Sequence, residues 1–235
     1  MTHPLRRAGT WVVVLSGIIG VYAGVVLFPR WQVAVETAQV VAGLVEYPRD
    51  NPFYTYHTKI WTVMHQAGAL LLLVGVPEKT LSLILSGLMG MLSCQALSLT
   101  AYALSGSATV AVGMPFLAFA TRVFDHGVVY PIALAGSEHT YGVVGLSAAG
   151  VTLGLFGAGY VRSGAFLLGL LPAIHPAIGV WTMAAATVAL AWERRAIWPA
   201  YRYALWWFLA GAGVTVASGL HQWAFILDVP DTEGE

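Results

Sequence analysis

The chain has 235 residues, of which 58% are hydrophobic and only 9% are charged, and its mean hydropathy is +0.74. Soluble globular chains carry about 25% charged residues, so this composition excludes a water-soluble domain. Basic and acidic residues each number 11, which leaves no net positive charge to attract nucleic acid. The single cysteine, Cys94, excludes a disulfide within the chain and a thiolate metal cluster.

Uncharged apolar stretches predict the membrane spans, because a helix needs about 20 apolar residues to cross the hydrocarbon core. The stretches that fit are residues 11–28, 60–76, 81–104, 141–161 and 203–227. Two arginines precede the first stretch, as in a signal peptide, but its apolar run is too long and no cleavage site follows it. We therefore expect it to be retained as an anchor.

Proline interrupts two shorter apolar stretches. Residues 109–121 contain Pro115, and residues 127–135 contain Pro131. Each stretch is too short to cross the hydrocarbon core, so both are predicted to be half-spanning segments.

A third interrupted stretch, residues 164–192, is uncharged but too long for one upright helix, and Pro172 and Pro176 flank His175 within it. Each proline removes a backbone hydrogen bond and disfavours helix at the residue before it. We expect the chain to fold back or break near His175. The predicted fold is all-α: residues 1–235 form one transmembrane helical bundle with about seven full spans or their equivalents.

Basic residues decide the predicted orientation, because cytoplasmic loops collect Lys and Arg. If the broken stretch counts as two half-helices, one side holds Arg6, Arg7, Lys79, Arg162, Arg194, Arg195 and Arg202. The N terminus is then cytoplasmic in the inner (plasma) membrane, and the loop over residues 29–59 and the acidic tail over residues 228–235 lie outside. A rival count with one tilted helix moves Arg162 outside and Glu138 with His139 inside.

The loop over residues 29–59 is longer than the helix connections typical of bundles. Within it, residues 33–45 predict a helix that lies in the membrane interface, with Glu36 and Gln39 on one polar stripe. Two prolines, an asparagine and four aromatic-type side chains over residues 46–57 suit turns in the headgroup layer. This loop is therefore predicted to hold a carboxylate at the membrane surface.

Residues 36–48, with the sequence ETAQVVAGLVEYP, and residues 51–54, with the sequence NPFY, resemble the first outward loop of the GT-C superfamily of membrane glycosyltransferases. In that superfamily an acidic residue of the loop is the catalytic base or orients the acceptor. The resemblance implies that the donor is a sugar linked to polyprenyl phosphate. It also implies that the protein contacts membrane lipids. Many members have an adjacent acidic pair and more spans, so we expect this chain to be an N-terminal half or to need a second chain.

Glycosyl transfer needs a base for the acceptor hydroxyl and positive groups for the departing phosphate. Glu36 is the predicted base, with His175 and Glu138 as further catalytic candidates. The candidates for binding the donor are Arg30, Arg49, Lys59, Gln39, Tyr47, Tyr54, His57 and His139. The alternatives are a solvated face for Glu36, interfacial anchoring for the cations, a hydrated loop for Glu138 and His139, and a backbone hydrogen bond for His175.

No cofactor is predicted. A divalent cation between Glu36, Asp50, His57 and His139 is a further hypothesis, although no two of them have ligand spacing on one helix.

The sequence is also compatible with other classes of function. His65 and His221 are expected at similar depth near the outer surface, so they could hold a haem between them. The chain would then be an electron carrier. Broken helices also occur in transporters and flippases, although no repeat supports that class here. The chain is alternatively a non-catalytic subunit of a larger assembly.

Overall fold

The computed structural model describes residues 3–27, 32–48, 50–123, 141–192, 198 and 202–227. All regular elements in this part of the chain are helical, as predicted. They are α1 (His3–Tyr22) with a π-helical continuation (Ala23–Leu27), α2 (Val33–Val41), α3 (Pro52–Lys59), α4 (Val63–Leu73), α5 (Glu78–Ser105), α6 (Ala108–Val123), α7 (Tyr141–Gly157), α8 (Val161–Ile174), α9 (Pro176–Trp192), a 3-10 turn (Arg202–Ala204) and α10 (Leu205–Leu227).

Three helical stretches are long and apolar enough to cross a membrane, namely Ala8–Leu27, Glu78–Ser105 and Arg202–Ile226. They coincide with three of the predicted spans and confirm that each of these is a helix of sufficient length and apolarity. The other apolar helices of the described residues are shorter, with 11 to 17 residues, so a count of seven full spans is not confirmed.

The predicted span over residues 60–76 is not a full span. Its helix, α4, has only 11 residues, about 16 Å at 1.5 Å per residue, against a hydrocarbon core of about 30 Å. The Thr62 side chain caps it by accepting a hydrogen bond from the backbone N–H of His65 at 3.2 Å. At the other end the chain turns through Gly75, whose φ of +91° favours glycine.

Helices α1 and α5 pack backbone to backbone at glycines. A Cβ atom on Gly24 would collide with the carbonyl oxygen of Ser86, and one on Gly90 would collide with the carbonyl oxygen of Gly20. Small residues therefore set the separation of these two helices, as is common between membrane helices.

The direction of each long helix follows from these contacts. Gly24 lies against Ser86 and Gly9 lies against Tyr102, so α1 and α5 are antiparallel. Helix α7 runs parallel to α5, since Gly150 meets Ala96 and Gly157 meets Ala103. We call the end of the bundle that holds α2 the Glu36 end, and the end where α8 begins the Arg162 end.

Lys79 lies at the Glu36 end of the bundle. Since α4 is too short to carry the chain across, α5 starts beside α2, and Lys79 lines the same cavity as Glu36. The prediction that Lys79 lies on the face opposite to the 29–59 loop is therefore wrong.

The break near His175 is confirmed. Helix α8 ends at Ile174 and α9 begins at Pro176, and Gly179 packs on the backbone of Pro172, so the two helices form a tight hairpin. The His175 Nδ1 atom accepts a hydrogen bond from the backbone N–H of Ile178 at 3.3 Å. Of the two segments predicted to be half-spanning, the first lies in α6, whereas residues 127–135 are outside the described residues.

Candidate functional site

Glu36 projects from the open side of helix α2. Ala34 and Ala38 on the other side of this helix are buried in the main apolar cluster, together with residues of α4, α5 and α7. The helix ends at Val41 rather than at residue 45, and Gly43 then adopts a φ of +67°. The Glu36 side chain is 47% exposed, so it is neither buried in the core nor fully exposed to solvent.

A cavity of about 510 Å³ lies next to Glu36. Helix α2 and the residue before it contribute Gln32, Val35, Glu36 and Gln39, and α5 contributes Glu78, Lys79 and Ser82. Two carboxylates and one ammonium group therefore share one cavity at this end of the bundle. The described lining is therefore net negative, and Lys79 is its one cation.

His57 lies directly behind Glu36, on helix α3. Its Nδ1 atom is 2.7 Å from Thr37 Oγ1, which is 3.1 Å from the hydroxyl of Tyr141. Its Nε2 atom is 3.9 Å from Glu36 Oε2, a distance that suits charge attraction but is too long for a hydrogen bond. The network thus connects α2, α3 and α7 behind the carboxylate.

Aromatic rings enclose the His57 imidazole. Tyr47 and Phe53 stack on it with ring centroids 5.4 and 6.2 Å away, and Tyr56 meets it edge-on at 5.3 Å. The side chain is only 1% exposed, so His57 does not touch a ligand in the cavity. It can act on such a ligand only by orienting Glu36 or by changing the local charge.

Helix α3 is held in place by polar contacts to α10. Gln222 Nε2 donates to the carbonyl oxygen of Thr58 at 3.0 Å. Beside it, Trp61 Nε1 donates to Ser218 Oγ at 2.9 Å, and Gln66 Nε2 donates to the Ser218 carbonyl at 2.9 Å. These bonds join distant parts of the sequence and fix the position of His57.

His65 and His221, the two candidate haem ligands, lie in different surroundings. His65 is 2% exposed, lies 3.1 Å from Thr62 Oγ1 and meets the Tyr141 ring at 4.8 Å. His221 is exposed on α10. The two histidines thus differ in exposure, and the haem alternative stays a prediction.

The predicted site residues fall into three groups. Glu36 and Gln39 line the cavity, and His57 and Tyr47 lie behind it. Tyr54, Lys59 and His175 do not line it, and His175 caps α9 instead. Arg30, Arg49, Glu138 and His139 lie outside the described residues.

Sequence reasoning missed Glu78, Lys79 and Ser82, because the chain was expected to cross the bilayer before reaching them. One sequence feature could have indicated this. If Thr62 is the N-cap of the helix, too few residues remain before Pro77 for that helix to cross the hydrocarbon core. For the cation hypothesis, no three His, Cys, Asp or Glu side chains in the described part of the chain are grouped to hold a metal ion. His139 of the hypothesised set is not described.

Comparisons with protein-family models, curated proteins and solved structures found no match to this chain. Its class is therefore defined by its own features: an all-helical chain with three helices long and apolar enough to cross a membrane, and a charged cavity at one end of the bundle.

Acidification is expected to destabilise the protein, and His57 is one of the buried histidines that contribute. Burial lowers the pKa of this imidazole, and the nearby Glu36 carboxylate offsets only part of that effect. Such a histidine binds fewer protons when folded, so the free energy of unfolding has its full value above about pH 6.5 and falls below it. Melting in detergent between pH 7.5 and 5 measures this loss. We expect a smaller loss in His57→Gln, with exposed His221→Gln as the control; equal losses in all three proteins would contradict the assignment.

Proposed function

We propose that this chain is a glycosyltransferase-like membrane protein that takes its sugar from a polyprenyl-phosphate carrier, with Glu36 as the base. The observation that carries the proposal is the shared cavity of Glu36 and Lys79. One carboxylate can accept a proton and one ammonium can stabilise a phosphate, which are the two charges that the reaction requires. The resemblance of residues 36–54 to the GT-C outward loop supports the same reaction class.

In the proposed reaction the acceptor hydroxyl attacks the anomeric carbon of the donor sugar, and the bond from that carbon to the phosphate oxygen breaks. The Glu36 carboxylate takes the hydroxyl proton. The Lys79 ammonium stabilises the negative charge that develops on the departing polyprenyl phosphate. The products are the glycosylated acceptor and polyprenyl phosphate, so the atoms balance without a further reactant.

His57 is a positioning residue in this proposal. Its Nε2 atom is near the Glu36 carboxylate, and its Nδ1 atom contacts Thr37. A carboxylate that is exposed on one side and approached by a fixed imidazole on the other loses less rotational freedom when it meets the acceptor. Glu78 lines the same cavity and supplies a second carboxylate. It lies outside the 29–59 loop, so the resemblance of that loop did not indicate it.

The cavity is proposed to face outward. Arg162 and Arg202 lie at the opposite end, and so does the start of α1, which carries Arg6 and Arg7, since Gly9 packs on Tyr160. These four arginines outnumber Lys59 and Lys79, the basic residues described at the Glu36 end, so the positive-inside rule favours the Arg162 end as the cytoplasmic one. A polyprenyl-phosphate donor and an acceptor outside would reach the Glu36 end.

Lys79→Gln tests the donor phosphate site. We expect sugar transfer from a panel of polyprenyl-phosphate sugars, followed with radiolabelled donors in detergent, to fall about tenfold. The loss is smaller than the roughly hundredfold cost of losing a preorganised oxyanion donor, because Lys79 is exposed.

Lys59→Gln is the matched control, because Lys59 does not line the cavity. An equal loss in the two variants would reject Lys79 as the phosphate group. A parent protein that transfers sugar from none of the donors would contradict the proposed function itself.

A further inference from the structure

A second cavity, of about 800 Å³, opens at the Arg162 end, far from Glu36. Its lining includes Tyr160, Arg162, Ser163, Phe166, Tyr203 and Trp207. The proposed function does not use this cavity, since it lies where α8 and α10 begin, whereas the Glu36 cavity lies between α2 and α5.

The cavity changes from polar to apolar with depth in the bundle. Helices α8 and α10 run in the same direction, because Tyr203 and Trp207 accompany the start of α8 and Thr215 Oγ1 donates to the Gly169 carbonyl further along. Phe166 and Trp207 therefore lie about one turn deeper than Arg162 and Tyr203 respectively. This gradient suits an amphiphile whose polar part lies at the end of the bundle.

The polar part of the cavity is positively charged. Arg162 lines it, and the Arg202 guanidinium lies 4.6 Å from the ring centroid of Tyr203, whose hydroxyl accepts a hydrogen bond from Arg202 Nη2 at 2.6 Å. No Asp or Glu is among the described residues that line the cavity. The Ser163 side chain adds a hydroxyl donor that a phosphate oxygen can accept.

We propose that this cavity binds the headgroup of an anionic phospholipid, with the start of its acyl chains along Phe166 and Trp207. The phosphate meets Arg162 and Ser163, and the aromatic side chains occupy the level of the headgroups, where Tyr and Trp are enriched in membrane proteins. A free phosphate would use the two polar residues but not the apolar wall. The proposal is independent of the glycosyltransferase assignment.

The test is native mass spectrometry of the full chain in neutral detergent, titrated with phosphatidylglycerol or phosphatidylcholine. We expect Arg162→Gln to weaken retention of phosphatidylglycerol about fivefold, since one basic residue near the headgroups contributes about 1 kcal/mol. Arg162→Lys should stay within about twofold of the parent. Lys59→Gln, which removes a cation near the Glu36 end, should leave retention unchanged.

Three results would overturn the proposal: equal retention of the two lipids by the parent, unchanged retention in Arg162→Gln, or an equal loss in Lys59→Gln. Displacement of the lipid by millimolar inorganic phosphate would reassign the cavity to a free anion. Helical content measured by circular dichroism shows whether each variant is folded. If Arg162→Gln misfolds, lipid retention by Arg162→Lys is compared with retention by the parent. Because Arg162→Lys keeps the positive charge, a loss of its preference for phosphatidylglycerol would also reject a charge-based site.

Discussion

Glu36→Gln is expected to lower the rate of sugar transfer by about 10²- to 10⁴-fold, the range of a general base. The amide keeps the shape of the side chain but cannot take the acceptor proton. The carboxylate it replaces is the one that both lines the cavity and lies 3.9 Å from the buried His57. Initial rates with saturating donor measure the effect, since the loss should fall on kcat rather than on KM.

Glu46→Gln is the matched control for this substitution. It makes the same change of charge and volume on the exposed segment that follows α2, and Glu46 does not line the cavity. We expect its rate to stay within about twofold of the parent. Equal rates in Glu36→Gln and the parent would remove Glu36 from the role of base.

Gly24→Ala is expected to lower the free energy of unfolding by about 3 kcal/mol, at the upper end of the cost of an overpacked contact. The added methyl group would meet the backbone carbonyl of Ser86, and a backbone atom cannot move aside as the end of a flexible side chain can. Helices α1 and α5 would have to separate. Denaturation of the detergent-solubilised protein by SDS, followed by circular dichroism, measures the change.

Gly113→Ala makes the same substitution where nothing lies within 4 Å of the added atom. Because alanine favours helix over glycine, this variant should be more stable by about 0.5 to 1 kcal/mol. Destabilisation of similar size in both variants would contradict the close packing of α1 on α5.

The parts of the fold that were predictable from sequence are those decided by local composition. Long uncharged runs define the membrane-crossing helices, because hydrocarbon tolerates little else. Pro176 defines the hairpin of α8 and α9, because it disfavours helix at His175, which is extended, and is itself the first residue of α9; Pro172 lies inside α8. Both signals are confined to a few neighbouring residues, so no knowledge of tertiary packing is needed to interpret them.

The side of the bundle on which Lys79 lies was not predictable in the same way. Counting spans makes every later assignment depend on each earlier one, and α4 has an apolar composition without the length of a span. Its end at Thr62 is decided by a cap and its other end by Gly75, which are weak signals beside a strongly apolar run. Because α4 is short, Lys79, a candidate phosphate ligand, lies at the end of the bundle opposite to the predicted one.

The candidate site itself was only half predictable. Glu36 and Gln39 share a stripe on one helix, so their spacing places them together. Thr37, His57 and Tyr141 contact one another across separations of 20 and 104 residues, which only the tertiary fold can establish. Local patterns thus identified the carboxylate and gave His57 as a donor ligand, but they did not reveal its network behind Glu36 or the ammonium of Lys79 beside it.

The most direct test of this account is labelling of single cysteines at positions 36, 79 and 163 with an impermeant maleimide, in intact cells that express the full chain. The native Cys94 is buried and should add little background. We expect the first two positions to react from outside and position 163 to react only after lysis. Labelling of positions 36 and 79 from opposite sides would contradict the shared outward cavity on which the proposed function depends.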